Sequence, residues 1–149
     1  MEGTVGSVPV AGSIAGIMTT GTISSCYSDV KFKLANAKNA QTTYTNSAGA
    51  SLGIGGIAGR SEAVASGSLT VTSSIRECVF DGVIDAPNNS RVAGILGSAS
   101  SKLYNGIYDC LNNADITGYR QVAGIAAWLY EGTVCTMVPE RIYNTGKIT

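Results

Sequence analysis

One five-residue phrase occurs four times in this chain, and this repetition constrains the fold more than any other feature of the sequence. The copies read GSIAG, GGIAG, AGILG and AGIAA, and they begin at Gly12, Gly55, Ala93 and Ala123. Each copy is followed by a second phrase that begins with isoleucine and occupies residues 23–32, 75–84, 107–116 and, in degenerate form, 142–148. Repetition of this kind determines architecture strongly and function weakly.

The spacing of the copies separates a basic repeat from its insertions. The central isoleucines of the first phrase are separated by 43, 38 and 30 residues, so the basic repeat has about 30 residues and the excess is inserted. Insertions are predicted between Phe32 and Ile54, around Arg60 to Ser73 and around Glu131 to Val138. The nine-residue step from Ile116 to Ile125 recurs from Val5 to Ile14. We therefore expect Gly3-Thr4-Val5 to close a preceding repeat, and the chain to be a fragment of a longer array.

The repeat has the length and composition of one rung of a β-solenoid. Three short β-branched segments with glycine at the turns are typical of rungs that pair in parallel, about 4.8 Å apart. Stacking aligns equivalent residues in inward columns, here Ile14, Ile57, Ile95 and Ile125 in one and Phe32, Ile84, Ile116 and Ile148 in another. The predicted fold is all-β, a parallel β-helix of about four rungs with loop insertions, forming a single domain over residues 1–149. The stretch Lys33 to Gln41 is where a short helix is allowed.

Composition excludes several classes of function. The chain has no histidine, which rules out histidine-based nucleophile activation, imidazole acid–base catalysis and histidine-ligated zinc. Ten basic residues balance ten acidic ones, so no net charge steers the protein onto nucleic acid. The apolar stretches are shorter than the roughly 20 residues that span a bilayer, so we predict no membrane insertion. Glu2-Gly3-Thr4 after Met1 offers no basic region, so we predict no signal peptide in this stretch.

The two phrases together resemble the GLUG-type repeat of bacterial surface proteins. The matching residues are Gly-Ile-Ala-Gly or Gly-Ile-Leu-Gly, then Ile-x-x-Cys-x-Asn-x-Ala/Gly-x-Ile, then a variable link back to Val-Ala-Gly-Ile. The resemblance implies a right-handed parallel β-helix within adhesins, large cell-wall proteins and non-catalytic regions of secreted proteases. The last repeat departs from the pattern, because Ala127 replaces the second glycine and the phrase at Ile142 has no cysteine.

Three cysteines, Cys26, Cys78 and Cys110, fall in one predicted column whose fourth member is Ile142. An apolar residue at the equivalent position favours free, buried thiols that act as small hydrophobic groups. A disulfide between columnar neighbours, about 4.8 Å apart, stays open as an alternative and would leave one thiol unpaired. Cys135 lies off the column in an insertion and is predicted to be the more reactive thiol. We predict no metal site and no cofactor.

Two aspartates, Asp29 and Asp81, share another predicted column. The column continues with Asn113 and Thr145. Carboxylates about 5 Å apart have the separation of a retaining glycosidase pair, which is the basis of the enzymatic hypothesis. The interpretation that we favour is structural: Asp, Asn and Thr cap a turn by binding local backbone amides.

Aromatic residues and a pair of asparagines complete the candidates. Tyr119, Trp128 and Tyr130 form the most aromatic region and are the candidate partner-binding residues, since aromatic faces stack on sugars or anchor proteins. The alternative is that Trp128 packs against the repeats. Asn112 and Asn144 are predicted to form a turn ladder.

The leading functional hypothesis is a non-enzymatic structural or adhesive segment of a bacterial cell-surface or secreted protein, extracellular, binding glycan or protein partners through its insertions. The alternative is a glycoside hydrolase or lyase that uses Asp29 and Asp81. Exposed parallel edges also predict end-to-end self-association or contact with adjoining repeats.

Overall fold

The computed structural model describes residues 10–34, 52–62, 73–99, 106–129 and 141–149. Within these ranges the chain forms sixteen short β-strands and no helix. In chain order the strands are β1 (Val10–Gly12), β2 (Ala15–Met18), β3 (Gly21–Ser24), β4 (Tyr27–Ser28), β5 (Lys31–Lys33), β6 (Gly53–Gly55), β7 (Ala58–Ser61), β8 (Ser73–Arg76), β9 (Val79–Phe80), β10 (Val83–Ala93), β11 (Leu96–Ala99), β12 (Ile107–Tyr108), β13 (Leu111–Asn112), β14 (Asp115–Ala123), β15 (Ala126–Leu129) and β16 (Tyr143–Asn144).

The strands form four sheets, and the pairings among the described residues are all parallel. Sheet A contains β1, β6, β10 and β14, with β5 also paired to β10. Sheet B contains β2, β7, β11 and β15, sheet C contains β3, β8 and β12, and sheet D contains β4, β9, β13 and β16. Neighbouring strands of a sheet come from successive copies of the phrases. We call these copies repeats 1 to 4, starting at β1, at β6, at Val92 in β10 and at Val122 in β14.

Strand β10 connects repeats 2 and 3. Its first part pairs with β5, where Ile84 lies opposite Phe32, and its last part pairs with β6, where Val92 lies opposite Ile54. On its other side both parts pair with β14 at the equivalent positions. The chain therefore passes through sheets A, B, C and D and returns to sheet A, and the register of β10 against β14 shifts between Ala86 and Ser90.

The predicted isoleucine column is confirmed by hydrogen bonds between its successive members. The amides of Ile14, Ile57 and Ile95 each donate to the carbonyl of the isoleucine in the next repeat, at 3.1, 3.2 and 3.1 Å. Ile57 and Ile95 are fully buried, Ile125 is half-buried, and Ile14 is 48% exposed. Burial thus depends on having a neighbouring repeat on both sides.

The second predicted column is also confirmed. Ile84 pairs with Phe32 on one side and with Ile116 on the other, and Ile116 forms an isolated parallel bridge with Ile148. Phe32, Ile84 and Ile116 are fully buried and belong to the hydrophobic core, whereas Ile148 is 37% exposed. β-Branched and aromatic side chains suit these positions because each packs against its neighbours along a pleated surface.

The residue before the central isoleucine must be glycine in repeats 2 to 4, because other atoms of the protein approach its Cα closely. A Cβ atom on Gly56 would overlap the Phe80 ring, and one on Gly124 would overlap the amide of Asn144. In repeat 3, a Cβ atom on Gly94 would likewise overlap the amide of Asn112. The first phrase therefore has glycine here because an inward side chain of sheet D occupies the space where a Cβ would lie.

The bend before sheet D has the same backbone conformation in every repeat. Ser25, Glu77, Asp109 and Arg141 have φ between 51° and 55°, in the left-handed region. Non-glycine residues adopt this conformation at a cost of about 1 kcal/mol, so its recurrence shows that the stacking determines the bend.

The prediction of an all-β chain with parallel strands is confirmed. Lys33, where a short helix was allowed to begin, ends strand β5, and the rest of that stretch from Ala35 onward lies outside the described residues. Most of each predicted insertion and Gly3-Thr4-Val5 also lie outside them. Among the residues that the structure describes, no helix has the length and apolar character needed to cross a membrane.

Candidate functional site

The solvent face of sheet D presents an apolar column that runs through all four repeats. Tyr27, Val79, Leu111 and Tyr143 lie opposite one another in successive strands. Both tyrosines are 62% exposed, and the two aliphatic residues between them are half-buried. The residues that follow them in each strand point inward, because side chains alternate between the faces of a strand. We call these four outward side chains the sheet D column.

A polar column lies on one side of the sheet D column. Its members in successive repeats are Ser25, Glu77, Asp109 and Arg141. The Ser25 hydroxyl donates to a carboxylate oxygen of Glu77 at 2.7 Å. The Arg141 guanidinium donates to both carboxylate oxygens of Asp109, with Nη2 and Oδ2 2.7 Å apart. The hydrogen bond from Arg141 holds the pKa of Asp109 below its ordinary value. The column therefore offers carboxylates whose side chains are oriented by neighbouring repeats.

The predicted column of Asp29, Asp81, Asn113 and Thr145 lies on the other side. Its register is fixed by amide-to-carbonyl bonds from Asp81, Asn113 and Thr145 to the preceding repeat, at 2.8, 2.9 and 2.9 Å. Asp29 and Asp81 both lie exposed on this face. They directly follow the neighbouring strands β4 and β9.

The interactions of this polar column differ from the turn caps that we favoured. Asp81 accepts a hydrogen bond from the Tyr27 hydroxyl at 3.0 Å, and the Thr145 hydroxyl donates to Asn113 Oδ1 at 2.7 Å. The bond to Asp81 raises the pKa of Tyr27. The side chains of Asp81 and Asn113 thus bind side chains of neighbouring repeats.

The predicted asparagine ladder is confirmed on the inward side of sheet D. Asn112 Nδ2 donates to Asn144 Oδ1 at 2.7 Å and to Ala114 O at 3.1 Å. Asn144 Nδ2 donates to Gly146 O at 2.9 Å, two residues ahead as for Asn112. Each asparagine side chain therefore closes its own turn, and the side chain of Asn112 also joins repeats 3 and 4.

The predicted cysteine column is confirmed as well. The backbone carbonyls of Cys26, Cys78 and Cys110 each accept an amide from the next repeat, at 2.8, 2.9 and 3.0 Å, and Ile142 follows in the same column. All three are free thiols, and each sulfur lies 3.0 to 3.3 Å from the carbonyl oxygen two residues before it. Cys135 lies outside the described residues.

The three thiols influence one another's ionisation. A hydrogen bond from Cys110 lowers the pKa of Cys78 to about 6, although burial acts in the opposite direction. The same hydrogen bond raises the pKa of Cys110, and burial raises it further. Burial, followed by the interaction with Cys78, raises the pKa of Cys26. Cys26 and Cys110 therefore keep their protons when Cys78 ionises.

The three predicted aromatic residues are distributed over different elements. Tyr119 lies in sheet A and is 55% exposed, whereas Trp128 lies in sheet B and is half-buried. The guanidinium carbon of the buried Arg91 lies 3.9 Å from the centre of the Trp128 ring and covers one of its faces. Tyr130 lies outside the described residues. One face of Trp128 is thus occupied within the protein, which is the packing role weighed above.

Sequence reasoning missed Tyr27 and Tyr143 as surface residues. The signal was available, because both tyrosines directly follow the cysteine column, one in the first repeat and one in the last. Aligning the second phrase places them together with Val79 and Leu111. Only the alternation of faces along the strand identifies this column as outward.

Within the described ranges, no group of three or more Cys, Asp or Glu side chains is arranged to hold a metal ion. Comparisons with protein-family models, with curated proteins and with solved structures gave no match for this chain.

Proposed function

We propose that this chain is a right-handed parallel β-helix of about four rungs that serves as a non-enzymatic structural and adhesive segment of a bacterial cell-surface or secreted protein. The supporting observation is that β10 pairs in parallel with strands of the repeats before and after it, while the chain passes through four sheets. Such an array is a rigid rod, because each repeat is fixed by the next through backbone hydrogen bonds. The resemblance to GLUG-type repeats supports the same proposal.

The binding surface in this proposal is the sheet D column with its two polar flanks. Tyrosine faces provide apolar contact area at a low cost in side-chain entropy, and they suit the apolar faces of sugar rings. Glu77 and Asp81 beside them accept hydrogen bonds from hydroxyl groups. An apolar strip with a tyrosine at each end, flanked by two rows of polar side chains, is suited to a glycan chain or to a polar protein surface. The insertions remain a second proposed surface, from the sequence alone.

The test is a binding screen against glycans and extracellular matrix proteins. We expect the wild-type chain to bind at least one of them, and Tyr27→Ala with Tyr143→Ala to weaken that binding by about tenfold or more. Tyr119→Ala is the matched control, because Tyr119 is similarly exposed but lies in sheet A. Absence of binding by the wild type, or an equal loss in the Tyr119 variant, would overturn the assignment of the surface.

The enzymatic alternative makes a separate prediction. A glycoside hydrolase or lyase that used Asp29 and Asp81 would cleave polysaccharides, and Asp81→Asn would abolish that cleavage. The adhesive proposal predicts no cleavage by either protein. Reducing-end assays on the glycans bound in the screen distinguish the two functions.

A further inference from the structure

The three thiols of the cysteine column differ in how far solvent reaches them. Cys78 and Cys110 are fully buried, whereas Cys26 is half-buried. An oxidant dissolved in water therefore meets Cys26 before it meets the other two thiols. The structural and adhesive role proposed above does not use any of the three.

Backbone hydrogen bonds hold Cys26 beside Cys78. The amide of Ser25 donates to the Arg76 carbonyl at 3.1 Å, and the amide of Val79 donates to the Cys26 carbonyl at 2.8 Å. These bonds flank the two cysteines and keep them one strand spacing apart, with about 4.8 Å between their Cα atoms. Because a disulfide spans roughly 4.4–6.8 Å between Cα atoms, this spacing allows a bridge.

The sulfur of Cys78 lies toward repeat 1. It is 3.0 Å from the Arg76 carbonyl oxygen in its own repeat and 3.8 Å from the Ile23 carbonyl oxygen in repeat 1. The side chains of Cys26 and Cys78 are also hydrogen-bonded to each other. The two sulfurs are therefore neighbours in the folded chain.

Cys110 is placed to activate Cys78 from the other side. Its hydrogen bond lowers the pKa of Cys78 to about 6, so Cys78 is available as a thiolate near neutral pH. Cys110 keeps its own proton, because the same bond and burial raise its pKa. The thiolate is the nucleophile in disulfide exchange. The column thus contains a solvent-accessible thiol, a buried thiolate beside it and a third thiol that stays protonated.

We propose that Cys26 and Cys78 form a reversible disulfide between repeats 1 and 2, with a small-molecule disulfide such as oxidised glutathione as the oxidant. The Cys26 thiolate attacks one sulfur of the oxidant, whose S–S bond breaks and releases one glutathione thiolate. The Cys78 thiolate then attacks the Cys26 sulfur and displaces the second glutathione thiolate. Two cysteines are oxidised, one oxidant molecule is reduced to two thiols, and the protons of the cysteines pass to the solvent.

The disulfide fastens repeat 1 to repeat 2 in addition to the backbone hydrogen bonds between them. It joins residues that are 52 positions apart, so it restrains the unfolded chain more than the folded one. We therefore expect the oxidised chain to unfold at a higher urea concentration than the reduced chain. An unchanged or lower midpoint would contradict this effect of the bond.

The first experiment treats the folded 149-residue chain carrying Cys135→Ser with oxidised glutathione, followed by acid quenching and peptide mass spectrometry. The substitution leaves only the three thiols of the column. We expect the Cys26–Cys78 disulfide as the main product and its loss after addition of dithiothreitol. In urea, the same treatment should give all three pairings. A Cys78–Cys110 disulfide as the main product of the folded chain, or absence of the Cys26–Cys78 disulfide, overturns the proposal.

The second experiment tests the order of the two steps in the same Cys135→Ser background. Cys78→Ala should trap a stable glutathione adduct on Cys26, because the displacing thiolate is missing. Cys26→Ala should slow modification of Cys78 and Cys110 by about tenfold or more, since both thiols are buried. Modification of Cys78 at an undiminished rate in this variant would overturn the proposed entry through Cys26.

Cys110→Val is the matched control, because valine cannot donate to Cys78 and cannot form a disulfide. This variant should form the same Cys26–Cys78 bond, but the glutathione adduct on Cys26 should last longer. A folded Cys110→Val chain without this bond would show that Cys110 belongs to the pair, which contradicts the proposal. Circular dichroism identifies any variant that is unfolded, and the linkage map of the first experiment then decides without it. These results are independent of glycan binding.

Discussion

At the scale of single residues, one inward position of sheet D determines what the first phrase can contain. The position is occupied by Ser28, Phe80, Asn112 and Asn144 in successive repeats. Where its side chain is large, the residue before the central isoleucine is glycine. In repeat 1, where it is Ser28, that residue is Ser13. The two positions complement each other in size, because atoms of one fill the space next to the other.

Gly124→Ala tests this size relationship. A Cβ at this position would lie 2.7 Å from Asn144 Cβ and overlap the amide beyond it, so we expect a loss of about 1–3 kcal/mol. Asn144→Ser alone should cost about 1 kcal/mol, because it removes the acceptor of the bond from Asn112. The double variant should be more stable than the sum of the two losses, because serine removes Oδ1 and Cγ, which the new methyl group would overlap, and leaves only the Cβ contact.

Urea unfolding of the four proteins in a double-mutant cycle measures the coupling between the two positions. Gly16→Ala is the control, because the nearest atom to its Cβ would be the Val10 carbonyl oxygen at 3.8 Å. We expect this variant to have nearly wild-type stability. Strict additivity in the cycle would contradict the packing argument.

At the scale of elements, the columns act as units that cross from strand to strand. The cysteine column is one of them, because its thiols lie in neighbouring repeats and their pKa values shift in opposite directions. A folded-state pKa below the ordinary value adds stability that is lost as the pH falls through it. A raised pKa adds stability that is lost as the pH rises above the ordinary value.

The free energy of unfolding should therefore depend on pH through this column. It should rise from about pH 6 to pH 9 as Cys78 ionises in the folded chain, and fall above pH 9 because Cys110 and Cys26 resist ionisation. Cys110→Val should flatten both limbs, because valine neither donates to Cys78 nor ionises. Urea unfolding under reducing conditions across this pH range measures the effect. Ile142→Val, in the same column, should keep the wild-type profile, and identical profiles for Cys110→Val and wild type would contradict the coupling.

At the scale of the whole molecule, position in the stack determines how much each equivalent residue contributes. Ile84 and Ile148 belong to the same column and have the same side chain, but Ile84 is fully buried and Ile148 is 37% exposed. An array in which each repeat contacts only its neighbours has this property, since repeats at the ends have one neighbour fewer.

Truncation of these two isoleucines should therefore have unequal effects. Ile84→Ala should cost about 2–5 kcal/mol because it leaves a cavity between two repeats. Ile148→Ala should cost about 1 kcal/mol or less, because its side chain loses little buried area. Thermal or urea unfolding of the two variants measures both losses. Equal losses would show that the end repeat is covered as completely as the middle ones.

The columns were predictable from the sequence because stacking in register imposes the same environment on every copy of a phrase. The isoleucine, cysteine and asparagine columns follow from the spacing alone, and their confirmation requires only parallel pairing without a shift. Glycine before the central isoleucine was equally visible, although its reason, the side chain from sheet D, was not. The turn caps expected at Asp81 were wrong, because the Tyr27 hydroxyl of the neighbouring repeat binds that carboxylate.

The sequence by itself determined which residues are equivalent, since equivalence depends only on the repeat length. Tertiary structure decided which equivalent residues face outward and which side chains from different sheets meet. It placed Tyr27 and Tyr143 on the surface and brought Arg91 onto the Trp128 ring. These contacts depend on the angles of the bends between sheets, and residues in the left-handed region such as Glu77 adopt those angles only because the neighbouring repeats hold them there.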